Sequence, residues 1–322
     1  MVEKGTVASE FEVYLRRADL RPASKRVKRL ALKHFIEEFG DMPVGEVTRS
    51  IAEDYRIILT KGRSKRAANG YLANFKPFWK SLHKHGSIHE NPFADLRLFR
   101  YTESERQTFT AAELGRLVKT ASRLWRVRIC CGLLGMRRGE VLNLCVRDIN
   151  QSGQDSHILL TPKSKTATTW EWDIKDHAQR MVALPERMCF VDVVVELHQD
   201  LVRLQEDLPT EQPYLLLEPK YYRKLIEWQR QNELTDEDTA DPTGNFQRTF
   251  RRLQRDALVR PFRRFHELRA AFVTQMIKAQ GIDRAADAVG HSSVDITRKY
   301  DRRDKQQLVA EVRRLASTFY ET

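Results

Sequence analysis

Only four of the 322 residues are cysteine: Cys130, Cys131, Cys145 and Cys189. Two are adjacent, none forms a Cys-x-x-Cys pair, and no histidine stands at zinc spacing. Neither a disulfide framework nor a zinc module is expected, and the thiols read as reduced and buried. The longest near-apolar run, Ile129 to Met136, falls far short of the ~20 residues that span a membrane. Met1-Val2-Glu3-Lys4-Gly5 opens no apolar stretch of the signal-peptide kind. Walker motifs, Mg²⁺-type carboxylate clusters, internal repeats and low-complexity tracts are missing too. With 41% hydrophobic and 31% charged residues, the composition excludes a disordered chain, a fibre and a membrane channel. What remains is a cytoplasmic globular protein of about two domains.

Charge is plentiful and uneven. Lys plus Arg number 56 against 44 Asp plus Glu, a net charge of +12. Residues 1–100 hold 20 basic and 12 acidic side chains, leaving only +4 for the other 222 residues. That asymmetry points to a polyanion partner for the N-terminal part, with nucleic acid the first candidate.

Hydrophobic periodicity reads residues 1–95 as an all-helical unit. Helices are predicted over Val7–Asp19, Ser24–Phe39, Thr48–Thr60 and Ser64–His85, the second presenting Val27, Leu30, Ala31 and Phe35 as its apolar face. Asn91-Pro92-Phe93 ends the unit, and residues 96–107 read as a linker. Thr110-Ala111-Ala112-Glu113 is a capping box that opens a second domain over 108–322. Helices continue to about residue 146. β-favouring runs follow at His157–Thr161, Thr168–Ile174 and Arg180–Leu184, and helices resume from Asp192. The fold class is therefore mainly α with a small antiparallel β-sheet.

Three clusters carry chemistry. In Gly135-Met136-Arg137-Arg138-Gly139-Glu140 an arginine sits among apolar residues, with Glu140 as a ready partner. In His266-Glu267-Leu268-Arg269 the i and i+3 side chains share a helix face. Gly290-His291-Ser292-Ser293 is followed by Tyr300, nine residues after the histidine. Each alone is ordinary surface or packing. Together, two arginines, two histidines and a tyrosine suit one task, which is to hold a phosphodiester and attack it. Guanidiniums grip the non-bridging oxygens, histidines donate or accept protons, and cationic surroundings help a tyrosine of free pKa near 10 to ionise.

In these motifs the chain resembles the tyrosine recombinases of the phage integrase family. The resemblance implies a helical core-binding domain followed by a catalytic domain. It assigns Arg137, His266, Arg269 and His291 to the phosphate and Tyr300 to the attack, with no cofactor and no metal. It also implies a hairpin lysine. Counting back nine residues from Leu184 of Arg180-Met181-Val182-Ala183-Leu184 reaches Lys175, with Lys165 of Lys163-Ser164-Lys165-Thr166 as the alternative. The implied partner is double-stranded DNA carrying a specific site. Arg63, Lys65, Arg66, Lys76, Lys80 and Lys84 are the candidate contacts, with a second cluster at Lys25, Arg26, Lys28 and Arg29.

The resemblance further implies a monomer when free and a homo-tetramer on two sites, with an accessory DNA-bending protein as an optional partner and no membrane. The chain is expected to start directly with the core-binding domain, without an arm-binding module. Leu308, Val312, Leu315 and Phe319 outline an amphipathic tail helix that docks on a neighbouring protomer or on its own domain. Alternatives to a recombinase are a type IB topoisomerase and a catalytically silent DNA-binding regulator.

Overall fold

The computed structural model describes residues 5–20, 22–102, 108–174, 179–231, 242–291 and 293–298. The described chain divides into two compact units, one on each side of residues 103–107. No described helix is long and apolar enough to cross a membrane.

The N-terminal unit holds four helices, α1 (Val7–Arg17), α2 (Pro22–Phe39), α3 (Arg49–Ile58) and α4 (Lys65–Lys84). Three of them start where a hydroxyl can satisfy an orphan N–H. Thr6, Thr48 and Ser64 accept from the backbone of Ser9, Ile51 and Ala67. The core is ring on ring, with Phe11, Phe35, Tyr55, Phe75, Phe78, Trp79 and Phe93 all fully buried.

Two expectations change here. Val27 and Leu30 are half exposed, whereas Lys28 is buried, its ammonium donating to the Asn74 carbonyl at 3.3 Å and lying over Tyr14. α2 is packed against both α1 and α4, so its buried stripe takes in position 28, whose long methylene stem carries the charge to a carbonyl. The presumed linker also begins later than residue 96. Leu96 is buried, the Asn69 side chain pairs with both backbone groups of Phe99 at 2.8 and 2.9 Å, and Arg56 donates to the Arg97 carbonyl.

In the second unit, α5 (Ala111–Thr120) opens on the capping box of Thr110 and Glu113. α6 (Arg123–Leu133) and the short α7 (Arg138–Leu142) follow. A three-stranded antiparallel sheet comes next, formed by β1 (Ile149–Asn150), β2 (His157–Leu160) and β3 (Arg180–Ala183) in that spatial order. Ile158 pairs with Val182 on the buried face, while their neighbours Leu159 and Met181 pair on the outer one.

Thr168–Ile174 is not a strand. A single bridge joins Lys163 to Trp172, and the segment is pinned by Trp170, which stacks on Tyr214 at 4.0 Å and donates from Nε1 to Asn143 at 2.7 Å. Side-chain anchoring takes the place of a ladder there. Nor does a helix begin at Asp192. That residue, at φ 61°, turns a hairpin of β4 (Met188–Phe190) and β5 (Val193–Val195), whose β-branched run favours strand, and α8 (Leu197–Glu206) starts after it. Cys189 lies on the outer side of this hairpin and is exposed; the other three cysteines are buried as expected.

The remaining helices are α9 (Pro219–Gln231), α10 (Phe246–Asp256), α11 (His266–Gln280), α12 (Ile282–Val289) and α13 (Val294–Arg298). α11 packs on α6 and α12, which brings the second and third motifs onto the first.

Candidate active site

Three arginines converge on the C-terminal end of α12. A helix leaves its last carbonyls without intrahelical donors and carries partial negative charge there. Here each of three successive carbonyls takes a different guanidinium. Arg180 donates to Ala288 at 3.3 Å, Arg269 to Val289 at 2.8 Å and Arg137 to Gly290 at 3.5 Å. Gly290, at φ 63°, turns the chain out of the helix, and a Cβ there would stand 3.1 Å from the Arg180 side chain.

A second acceptor sits opposite. Gly135, at φ 85°, ends the turn after α6, and a Cβ on it would come 2.8 Å from the Phe272 ring. Its carbonyl accepts from both Arg269 and Arg180. Arg269 itself has no exposed surface.

Arg137 is the N-cap of α7, and Glu140, one turn on, folds back to it. The carboxylate accepts from the Arg137 backbone N–H at 2.6 Å and from its guanidinium at 3.0 Å. The same carboxylate accepts from Arg180 at 2.6 Å. Burial holds the Arg180 guanidinium below its ordinary pKa, although Glu140 pulls the other way. Glu140 is therefore the buried partner that the first motif suggested.

His291 follows Gly290 directly, and its Nδ1 is hydrogen-bonded to Thr297 Oγ1 at 2.8 Å. Burial lowers its pKa to about 4, helped by the positive charges of Arg269, Arg137, His266 and Arg180, so the ring is neutral at pH 7. His266 opens α11 one turn before Arg269 and is half-buried. The structure thus brings Arg137, His266, Arg269 and His291 into one cluster.

Tyr300, Lys175 and the tail positions 308, 312, 315 and 319 lie outside the described residues. Lys165 is exposed beside the turn closed by Thr166 and Thr169, and no hydrogen bond or ion pair among the described residues links it to the arginines. The neighbouring Lys163 is buried instead, bonded to Asp148 at 2.8 Å and to Thr161 at 2.9 Å.

Sequence reasoning missed Arg180 and Thr297. Arg180 had a readable signal, because in a strand of period two it shares the inward face with Val182. Thr297 gave none: its partner lies six residues back, across a turn.

The basic surfaces also differ from expectation. Lys65, Arg66, Lys80 and Lys84 are exposed along α4, Arg26 is exposed on α2 and Lys25 is partly so. Arg63 lies against the Tyr71 ring. Lys76 caps the Ala94 and Leu96 carbonyls, Lys28 is buried, and Arg29 forms a two-pronged pair with Glu12 at 2.6 and 2.9 Å, so these three serve the fold. In the second unit α10 carries exposed Arg248, Arg251, Arg252 and Arg255 on one face, at i, i+3, i+4 and i+7. The Phe262 ring is approached by Arg251 at 4.6 Å and Arg260 at 3.7 Å. An average over the second unit hid this stripe.

Three solved structures illustrate the likeness in fold. A lambda integrase dimer bound to a COC′ core site matches with a TM-score of 0.65 at 17% identity, covering 93% of this chain and 98% of its own. The Tn1549 transposon integrase in complex with a circular-intermediate DNA gives 0.71 at 16% identity, covering 97% and 100%. A lambda integrase tetramer bound to a Holliday junction gives 0.65 at 18% identity, covering 94% and 80%. No curated protein sequence matches. The profile of the phage integrase family matches residues 107–307, the stretch that contains all three motifs. This chain belongs to the phage integrase family.

Proposed function

We propose that the protein is a site-specific DNA recombinase that cuts and rejoins strands through Tyr300. The carrying observation is the set of arginines held on the α12 carbonyls beside a neutral His291. Arg137 and Arg269 bind the non-bridging oxygens of the scissile phosphate and stabilise the charge of its transition state. His266 and His291 hydrogen-bond the phosphate or take the tyrosine proton. The Tyr300 oxygen bonds to phosphorus as the bond to the 5′-oxygen breaks, which leaves a 3′-phosphotyrosyl link. A lysine, Lys175 or in the alternative Lys165, gives the departing 5′-oxygen its proton. The 5′-hydroxyl of a second strand then attacks the link, reverses these steps and frees the tyrosine. One phosphodiester is exchanged for another, so no ATP is consumed, and guanidiniums supply the charge that metal ions supply elsewhere.

The N-terminal unit clamps DNA through Arg26, Arg63, Lys65, Arg66, Lys80 and Lys84, and α10 adds Arg248, Arg251, Arg252 and Arg255. Four protomers assemble on two sites, as the tetramer reported for lambda integrase on a Holliday junction suggests. The test is an adduct assay on sheared DNA of the source genome, in EDTA and without ATP. Wild type is expected to leave a protein–DNA adduct on a denaturing gel, and Tyr300→Phe none while still binding DNA. Adducts from both proteins would assign the nucleophile elsewhere, and adducts from neither would leave a DNA-binding regulator.

A further inference from the structure

Glu140 is shared between two arginines, and this bears on how Arg137 can work. A carboxylate 3.0 Å from the Arg137 guanidinium makes a nearly neutral pair with it, a poor receptor for a phosphate. Arg180 takes the second oxygen of the same carboxylate at 2.6 Å. Three arginines against one carboxylate leave the cluster of Arg137, Arg180, Arg269 and Glu140 at a formal +2; without Arg180 it falls to +1. Anchoring the β3 strand to Gly135 and Ala288 does not require this charge, since the two carbonyls need a fork of N–H donors that reaches both, and a neutral fork would serve them equally. A guanidinium whose side chain is only 8% exposed is costly to desolvate, and an interior built for stability alone would use neutral groups there.

We propose that Arg180 is a positioning residue: it occupies Glu140 so that Arg137 keeps its positive field for the phosphate, and it ties the hairpin strand to both arginine motifs. This rests on reading the cluster as a phosphate site. Arg180 belongs to none of the three motifs, does not touch the phosphate in this scheme, and acts through Glu140.

The test compares wild type with Arg180→Met, Arg180→Lys and the double variant Glu140→Gln/Arg180→Met. Two readouts are used: calorimetric titration with inorganic phosphate at low ionic strength, and the rate of adduct formation on sheared DNA of the source genome. Thermal unfolding reports that each variant is folded. Arg180→Met is expected to bind phosphate about tenfold more weakly and to form adduct roughly a hundredfold more slowly. Arg180→Lys should stay within about threefold of wild type, because the charge is kept although the fork is lost. The double variant should recover about tenfold over Arg180→Met, since removing the carboxylate restores the charge balance.

A purely structural anchor predicts the reverse. Arg180→Lys would then fail, and the double variant would be as poor as the single one or poorer; either result overturns the proposal. Should Arg180→Met not fold, Arg180→Lys decides alone: retention supports the proposal, and a loss beyond tenfold rejects it. No adduct from any protein, with phosphate affinities in the expected order, would reject the tyrosine chemistry and leave Arg180 in its role. Unchanged adduct formation and phosphate affinity in Arg180→Met would reject the role of Arg180 and leave the tyrosine chemistry standing.

Discussion

Trp79 in the first unit and Arg269 in the second are both fully buried, and unlike forces hold them. Trp79 stacks on Phe93 at 5.3 Å with the rings 13° apart, and its indole N–H has no acceptor among the described residues. The apolar area it removes from water stabilises it there without fixing a direction. Arg269 is held by directed bonds to two backbone carbonyls brought in from the α6 turn and the end of α12. Such a group adds little to stability after its desolvation, but its donors are fixed in place before a substrate arrives. One interior stabilises the fold, and the other spends stability on geometry.

Removing Arg269 separates the two most sharply. Arg269→Met should lower the rate of adduct formation by roughly 10³–10⁵-fold, the span seen when an arginine that meets phosphoryl charge is lost. Its melting temperature should fall by only a few degrees, because methionine fills the space and leaves no buried charge unpaired. Rapid-quench cleavage set beside calorimetry checks both halves. A large drop in melting temperature would make Arg269 a structural residue first. The converse change is Trp79→Ala, which should cost about 3–5 kcal/mol in denaturant unfolding through lost burial and the cavity left behind. Molecules of this variant that remain folded should still cleave once bound at saturating DNA. If cleavage fell a thousandfold in that saturated complex, the contrast between the two interiors would collapse.

The same contrast explains what the sequence could tell. The helices of the first unit were legible because period and caps are local, as Thr6, Thr48 and Ser64 show. The reactive cluster was legible through spacing within motifs, since His266 and Arg269 are one helical turn apart. Long-range pairing was not. Arg269 reaches Gly135 across 134 residues and Arg180 reaches Glu140 across 40, and no window of sequence displays such partners. Lys28 taking the inward place expected of Val27 has the same origin, because which face of α2 is buried depends on α4 as well as on α2 itself. The arginine stripe of α10 is hidden for another reason: acidic side chains elsewhere in the last 222 residues nearly cancel it in the net charge, and only the helix face displays it.

The smallest effect, and the one that reads both interiors at once, is the response to acid. Burial lowers the pKa of His34 in the first unit, with Arg63 adding to it, and burial, helped by the cationic surroundings, lowers the His291 ring to about 4. An unfolded histidine titrates near 6.5, so between pH 6.5 and 4 the unfolded chain takes up protons that the folded chain refuses. The stability of the folded protein should therefore fall as pH drops through that window and stay flat just above it. For His291 the loss is on the order of 1–2 kcal/mol once the partial exposure of the ring is discounted. His291→Gln should flatten the acid limb by that amount. Arg269→Met should flatten it less, because it removes one of the four charges that oppose protonation and leaves the burial. Trp79→Ala should shift the whole curve downward and leave the His291 share of its slope unchanged, since a ring without a titrating proton stabilises equally at every pH. Urea unfolding of the three variants at pH 4.5, 5.5 and 7 decides the matter. An acid limb in His291→Gln as steep as in wild type would mean that the histidine is not the group held neutral among the arginines.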